Sequence, residues 1–138
     1  MERKTRQSTA IQRALQEAAR PLLPQEVLTW AQGWAPGVSL TTVYRQLNAL
    51  VLQGQAQTVQ LPGDPTRFEW AHGHAHHHHF QCRGCQTVYD IHACPGELSQ
   101  LAPRGFVVQD HDLTLYGLCA QCAAPALPPP SAWPELAS

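Results

Sequence analysis

The 138-residue sequence predicts an α+β fold, with a helical N-terminal unit followed by a small α/β unit. Apolar residues recur at helical spacing in the first third of the chain, whereas short strand-like segments fill most of the rest. Two Cys-x-x-Cys pairs, at residues 82–85 and 119–122, flank several of those segments. Each pair can place two thiolates on one ion, so together they predict a tetrahedral four-cysteine zinc site that holds the second unit together.

Three helices are expected before residue 54. The first has apolar residues on one face between residues 11 and 18. The second opens at Pro24, because proline is favoured in the first turn of a helix. Ser39 is a suitable N-cap for the third helix, over residues 40–53, and Gly54 ends it.

The third helix is amphipathic, and its polar face is suited to contact nucleic acid. Its apolar stripe consists of Leu40, Val43, Leu47, Leu50 and Val51. The other side offers hydroxyl, amide and guanidinium groups, which reach base edges and phosphates. A solvated helix face is the alternative interpretation of this pattern. The candidate DNA-contacting residues are Ser39, Thr41, Thr42, Tyr44, Arg45 and Asn48.

A β-hairpin is expected after the third helix. Residues 55–61 alternate between apolar and polar side chains, residues 62–65 read Pro-Gly-Asp-Pro, and residues 66–71 can return as a second strand. Three helices followed by a two-stranded hairpin form the winged-helix arrangement. That arrangement places the third helix in the major groove of DNA and the hairpin against the backbone.

The composition permits DNA binding without requiring it. The net charge is −1, but residues 1–53 carry six Lys or Arg and three acids, against three Arg and seven acids in the remainder. The hydrophobic content of 43% is enough for a core. No apolar run approaches the roughly 20 residues that span a membrane, and the N-terminus lacks a secretory signal. We therefore expect a cytoplasmic protein, whose paired cysteines bind metal rather than form disulfides.

The second half of the chain is expected to contain shorter elements. One short helix is predicted over residues 95–101. Residues 124–138 contain five prolines and are expected to form a disordered tail. A unit this small needs the zinc site and dimerisation for stability. The expected strands cover residues 80–82, 87–91, 106–108 and 113–118.

Three motifs, in this order along the chain, resemble the ferric uptake regulator family of bacterial metal-dependent repressors. Residues 39–47, Ser-Leu-Thr-Thr-Val-Tyr-Arg-Gln-Leu, resemble that family's recognition-helix signature. Residues 76–85 resemble its histidine cluster running into the first cysteine pair. Residues 111–119 resemble its C-terminal signature running into the second pair. The resemblance spans about residues 5–122.

The resemblance implies two domains and two macromolecular partners. The domains are a winged-helix DNA-binding domain over residues 1–61 and a metal-binding dimerisation domain over residues 68–123, joined by a hinge over residues 62–67. The partners are a second copy of the chain and double-stranded DNA with an AT-rich, near-palindromic operator. Such a protein represses metal-uptake genes and is not an enzyme.

The resemblance also implies specific site residues. Tyr44 and Arg45 are expected to contact bases or phosphates. Structural zinc is expected on Cys82, Cys85, Cys119 and Cys122. A second metal site in the dimerisation domain is expected from His76, His78, Glu97 and His111.

A regulatory metal clamp is expected at the hinge. In a strand, His77 and His79 point to the face opposite His76 and His78, so the four histidines can serve two sites. Iron- and peroxide-sensing members carry an early histidine, whereas this chain has none before residue 72. The pattern is closer to the zinc-sensing branch of the family. The expected clamp ligands are Asp64, His72, His77 and His79, with Glu69 as an alternative ligand.

Zinc is therefore the favoured effector, with iron, manganese and peroxide sensing left open. His72 stands near the place of a cysteine in zinc-sensing members, which makes the site harder and less selective. Two other function classes compete. A zinc enzyme would need a motif such as His-Glu-x-x-His, which is absent, and a metal buffer would leave the winged helix unexplained. Cys94 is interpreted as a small residue near a helix start, not as a ligand.

Overall fold

The computed structural model describes residues 2–71 and 78–124 of the chain. Three helices and the β1–β2 hairpin form the first unit, and a three-stranded sheet forms the second. This arrangement confirms the predicted α+β class with an N-terminal winged helix. The elements in chain order are α1 (Glu2–Ala18), α2 (Pro24–Gln32), α3 (Leu40–Leu52), β1 (Ala56–Val59), β2 (Arg67–Trp70), β3 (His78–Cys82), β4 (Val88–Ile91), a 3-10 turn (Ser99–Leu101), β5 (Thr114–Gly117) and α4 (Ala120–Ala123).

The apolar faces of the three helices meet in one core. Phe68 from β2 joins that core, and its backbone pairs with Leu22 in the α1–α2 connection through hydrogen bonds of 2.7 and 2.8 Å. Removing these side chains from water is the main stabilisation of the unit. The helical core residues include Ile11, Leu15, Val27, Ala31, Val43, Leu47 and Leu50.

Local signals fix both ends of α3. The Ser39 hydroxyl accepts a hydrogen bond from the Thr42 amide at 3.2 Å, which is the predicted N-cap. At the other end, Gly54 has a φ of +77°. This left-handed conformation lets the Gln55 amide donate to the Leu50 carbonyl at 2.9 Å and so closes the helix.

The wing is an antiparallel hairpin that runs from Ala56 to Trp70. Its pairing continues one step further, because the Ala71 amide donates to the Gln55 carbonyl at 2.9 Å. Residues 62–67, where a hinge was expected, form the turn of the wing and the first residue of β2. The described hydrogen bonding of the wing thus extends from Gln55 to Ala71.

The second unit is a sheet with strand order β4-β3-β5. β3 pairs antiparallel with β4 and parallel with β5. Two predictions for the connection before β5 are wrong. Only a 3-10 turn forms within residues 95–101, and no strand forms over residues 106–108. Gly96 and Gly105, with φ of +94° and +87°, interrupt regular structure there.

The two units pack against each other in this structure. A small apolar cluster joins Val59 and Leu61 of the wing to Val88 of β4. Buried polar groups surround that cluster, and they form the sites described below. Among the described residues, no helix combines the length and the apolar character needed to cross a membrane.

Candidate metal centres and nucleic-acid interface

The two cysteine pairs meet at one end of the sheet. Cys82 ends β3, Cys85 follows in the adjacent turn, and the second pair begins just after β5 and runs into α4. The four sulfur atoms lie within 4.8 Å of one another, and Cys85 Sγ is 3.9 Å from Cys119 Sγ. Sulfur atoms around a tetrahedral zinc ion, with bonds of about 2.3 Å, are about 3.8 Å apart. The four cysteines thus fit a zinc ion.

Backbone amides favour the thiolate form of this cluster. Cys82 Sγ accepts hydrogen bonds from the amides of Cys119, Gly84 and Cys85 at 3.3, 3.3 and 3.4 Å. Chiefly the Cys119 amide, followed by that of Cys85, lowers the pKa of Cys82 to about 6. The Cys122 thiol beside it keeps its proton, because hydrogen bonding to Cys82 raises the pKa of Cys122 to about 12. Metal binding at this cluster must therefore release protons.

Gly84 is required by the close approach of the second cysteine pair. A Cβ at position 84 would lie 3.0 Å from Cys122 Sγ and 3.1 Å from Cys122 Cβ. Both distances are tighter than most Cβ contacts in proteins, so a Cβ at position 84 would require Cys122 to shift by a few tenths of an ångström relative to the other three sulfur atoms.

A second cluster of potential ligands joins the wing to the sheet of the second unit. Glu69 comes from β2, His79 from β3, and Asp90 lies opposite His79 on β4. His79 Nε2 is 3.3 Å from Asp90 Oδ1 and 4.0 Å from Glu69 Oε1. Gln57 Nε2 donates to Glu69 Oε1 at 2.8 Å and orients that buried carboxylate. One imidazole between two carboxylates is a ligand set for a divalent metal ion.

The carboxylates hold a proton on His79. Asp90, and after it Glu69, raises the pKa of His79 from 6.5 to about 9. An ion that binds at His79 must displace this proton, because only the neutral imidazole has a free lone pair. In metal-free protein the charged imidazole takes the central position between the two acids.

Of the expected clamp ligands, the structure brings His79 and the alternative Glu69 together, and it adds Asp90. His72 and His77 lie outside the described residues. Asp64 is elsewhere, since its carboxylate faces Arg67 and accepts from Gln81 Nε2 at 3.1 Å. Asp90 was not predicted, because its contact with His79 depends on the β3–β4 register, which no local pattern reveals.

Arg67 is a buried guanidinium at the junction of the two units, with only 1% of its side chain exposed. Its Nε is 2.7 Å from Asp64 Oδ2 and its Nη2 is 3.1 Å from Asp64 Oδ1. Nη2 also donates to the Gln86 carbonyl at 2.8 Å, and Nη1 lies 3.5 Å from Glu26 Oε1. Gln86 belongs to the turn after the first cysteine pair and has a φ of +64°. Arg67 thus connects α2 and the wing to the cysteine turn.

A third cluster consists of His78, Cys94 and His111. Cys94 Sγ is 3.4 Å from His111 Nε2, and the two imidazole rings stack with centroids 5.1 Å apart. His78 Nδ1 accepts from the Leu113 amide at 3.0 Å. The expected ligand Glu97 is not in this cluster and accepts instead from the Ser99 hydroxyl. The fourth expected ligand, His76, lies outside the described residues.

The polar face of α3 remains accessible. Thr41, Tyr44, Arg45 and Asn48 are exposed, with 43% of Tyr44 open to solvent. The remaining two candidates are used locally, because the Ser39 hydroxyl donates to that of Thr42 at 3.1 Å. The structure therefore presents four of the six predicted DNA-contacting residues on one open helix face.

A winged helix joined to a sheet unit, with two clusters of potential metal ligands in the sheet unit and a third between the two units, defines the class of winged-helix proteins with candidate metal sites. Comparison with known sequences gives the family. The ferric uptake regulator family model matches residues 2–116, and the chain belongs to that family.

The relatives differ in the signal that their names specify. The peroxide operon regulator of Bacillus subtilis is 32% identical over 96 residues, which cover 67% of this chain and 64% of that protein. A zinc-bound manganese uptake regulator superposes with a TM-score of 0.71 at 23% identity, covering 82% of this chain and 87% of that one. The ferric uptake regulator of Vibrio cholerae superposes with a TM-score of 0.63 at 26% identity, covering 82% and 88%. The match thus spans less than two thirds of the curated relative, and the relatives single out no zinc-sensing branch.

Proposed function

We propose that this chain is a metal-responsive, DNA-binding transcriptional repressor of metal-uptake genes. The observation that carries the proposal is the Glu69–His79–Asp90 cluster, which takes one carboxylate from the wing and the other two side chains from the sheet of the second unit. An ion held by residues from both units would fix the orientation of the winged helix. No such arrangement is needed by a metal buffer or a zinc enzyme.

The mechanism is a population shift of the winged helix between orientations. Without metal, the protonated His79 attracts both acids but forms no directional coordination bonds to them. With a divalent cation, Glu69, His79 and Asp90 all become ligands, and the geometry between wing and sheet is restricted. If DNA binds only that geometry, metal and DNA affinities are coupled reciprocally, typically by about 1–3 kcal/mol.

DNA contact is assigned to the exposed face of α3. Arg45 offers a fork of donors to guanine or phosphate, and Thr41, Tyr44 and Asn48 add hydrogen-bonding groups around it. In a two-fold dimer the two α3 helices would reach successive major grooves about 34–36 Å apart. Restricting the wing orientation fixes that spacing, which is how a change at His79 would reach the operator.

A homodimer is supported by the apolar surface of the second unit. β5 is an edge strand of the sheet. Within β5, Leu115 and Tyr116 are 53% and 41% exposed, and Leu118 just after it is 48% exposed. Phe106 and Val107 are also exposed, at 69% and 83%. The other edge of β5 pairs with none of the described strands, and such an edge beside exposed apolar side chains is suited to pairing with a second copy.

The four-cysteine cluster is proposed to hold structural zinc. One ion at the end of the sheet would connect the turn after β3 to the segment after β5, and reduced thiols are consistent with a cytoplasmic protein. Its ligands would be Cys82, Cys85, Cys119 and Cys122. The effector at the Glu69–His79–Asp90 cluster is proposed to be zinc, because the sequence has no histidine before residue 72. The two carboxylates beside His79 favour iron or manganese as the alternative effector, because hard oxygen ligands suit those ions better than zinc.

The test is selection of DNA fragments by the zinc-filled protein with chelator, Zn²⁺, Mn²⁺ or anaerobic Fe²⁺. Enrichment of one palindromic, AT-rich site by Zn²⁺ alone supports the zinc-responsive repressor, whereas enrichment by Fe²⁺ or Mn²⁺ alone supports the alternative effector. If no metal enriches any sequence, the proposed function fails.

Two variants, one of them a control, test the Glu69–His79–Asp90 cluster as the effector site. Glu69→Gln removes a ligand carboxylate and should abolish metal-dependent DNA binding in gel shifts. Glu17→Gln makes the same chemical change at an exposed position of α1 and should leave that dependence unchanged. Metal dependence that survives Glu69→Gln would remove Glu69 from the clamp.

A further inference from the structure

We propose that Cys94 is a metal ligand and that, with His78 and His111, it forms a thiolate-containing site separate from the four-cysteine cluster. The three residues come from distant parts of the chain. His78 opens β3, Cys94 follows β4, and His111 precedes β5. One ligand atom from each lies within 4.8 Å of the other two. The sequence analysis interpreted Cys94 as a small residue near a helix start. Its position beside two histidines indicates instead that it is a metal ligand.

The spacing between Cys94 and His111 matches a shared ion. With a Zn–S bond of about 2.3 Å and a Zn–N bond of about 2.0–2.1 Å, tetrahedral geometry separates sulfur and nitrogen by about 3.5 Å. The separation of Cys94 Sγ and His111 Nε2 is 3.4 Å. An S–H···N hydrogen bond can span the same distance, so a thiol proton can hold the pair together until a metal ion replaces it.

Cys94 takes the position that Glu97 was expected to fill. Glu97 accepts a hydrogen bond from Ser99, and no oxygen of its carboxylate lies within the His78–Cys94–His111 group. Gly96, with a φ of +94°, turns the chain between the two residues. The turn brings the sulfur of Cys94 towards His111, while the Glu97 carboxylate bonds to Ser99. Among the described residues these three supply ligands, and a tetrahedral ion has one further position.

His78 must change its hydrogen bond when the ion binds. Its Nδ1 accepts from the Leu113 amide at 3.0 Å, so the neutral ring carries its proton on Nε2. Coordination through Nδ1 would use the lone pair that accepts from Leu113, and coordination through Nε2 would move the ring proton to Nδ1. Either way the contact with Leu113 is broken. Metal binding at this site should therefore increase hydrogen exchange at the Leu113 amide, which lies next to the first residue of β5.

The thiolate determines which ions this site accepts. Sulfur and two imidazoles suit zinc, whereas two imidazoles and a carboxylate would also suit manganese and iron. Cys94 should therefore raise the affinity for zinc more than the affinity for manganese. The site is also open to solvent, because Cys94 is exposed and His111 is half-buried, so an ion can enter without unfolding.

The test uses the full chain with zinc in the four-cysteine cluster and Co²⁺ as the probe. Cobalt bound by a thiolate gives a near-ultraviolet charge-transfer band that cobalt on histidines and carboxylates lacks. Wild type and Glu97→Gln should both show the band, with affinities within about threefold of each other. Cys94→Ser should lose the band, and both Cys94→Ser and His111→Ala should weaken Co²⁺ binding at least tenfold.

Thiol alkylation provides a second readout. Zinc protects the four cluster cysteines, so Cys94 should react alone with iodoacetamide. Adding Co²⁺ should slow that reaction in wild type and Glu97→Gln but not in His111→Ala. If Cys94→Ser keeps the charge-transfer band, or if Glu97→Gln weakens binding while Cys94→Ser does not, Cys94 is not a ligand. None of these measurements uses DNA, so the site and the proposed function can fail independently.

Discussion

Replacing Arg67 by methionine is expected to destabilise the protein far more than replacing the neighbouring Arg20. The guanidinium is 1% exposed and its partner, the Asp64 carboxylate, is 6% exposed. Methionine fills a similar volume but leaves Asp64 with only the Gln81 amide, and it leaves the Gln86 carbonyl without its donor. Removing one partner of a buried pair costs about 3–5 kcal/mol, because the other charge stays buried without compensation.

That magnitude is large compared with the stability of a typical domain, about 5–15 kcal/mol. Thermal unfolding of the zinc-filled protein, followed by circular dichroism, should show a melting temperature lower by on the order of 10 °C. Arg20→Met is the matched control. Arg20 lies 3.6 Å from Glu26, which also faces Arg67, but its side chain is 21% exposed. It should contribute less than about 1 kcal/mol.

A double variant separates lost charge balance from lost packing. Changing Asp64 to leucine in the Arg67→Met background removes the stranded carboxylate, so it should recover part of the lost stability. Equal melting temperatures for Arg67→Met and Arg20→Met would refute the reasoning. A double variant less stable than Arg67→Met would show instead that the packing of the side chains, not the unpaired charge, sets the cost.

Three further predictions concern the metal clusters. Gly84→Ala should push Cys122 outward and weaken zinc binding by about 1–3 kcal/mol in chelator competition; unchanged affinity would show that the turn relaxes freely. Cys119→Ser should lose both the bound zinc and the dimer, measured by metal analysis and light scattering, and a zinc-free dimer as stable as wild type would argue against a structural role. Because the folded-state pKa of His79 is raised to about 9, its ion pairs stabilise metal-free protein fully below pH 6.5, and that contribution is lost as the pH rises through 9. The affinity for the effector ion should change in the opposite sense and rise with pH up to about 9, because each ion that binds releases one proton from His79. Binding that is independent of pH in calorimetry would contradict this.

The helices, the caps and the cysteine pairs could be predicted because their signals are local. Ser39 caps α3 through an amide three residues away, and Gly54 ends the same helix through its own φ. The spacing within the two Cys-x-x-Cys pairs is enough to indicate metal binding. The failures came where structure depends on distant contacts. Residues 95–108 read as a helix and a strand, but they form mostly irregular chain.

The clusters of potential metal ligands could be predicted only in part. His79 and Glu69 could be named as candidates because ligand types are visible in a sequence. Asp90 and Cys94 could not, because each reaches its partners through strand pairing or a turn that no short pattern encodes. Asp64 is the opposite case. It has the right residue type near the expected place, but the buried Arg67 occupies its carboxylate.

β2 explains why the junction was hard to predict. In a wing hairpin with one free face, Arg67 and Glu69 would point to solvent, since alternate residues of a strand share a face. Here Phe68 points into the helical core, while Arg67 and Glu69 point towards the second unit, where Gln86 and His79 meet them. Both faces of β2 are therefore covered, and its polar face carries a buried guanidinium and a buried carboxylate that meet the sheet unit. Phe68 of the same strand lies in the core to which α3 contributes Val43, Leu47 and Leu50. An ion bound at Glu69, as proposed for the effector, would thus be connected to α3 through β2, whose Phe68 lies in the helical core.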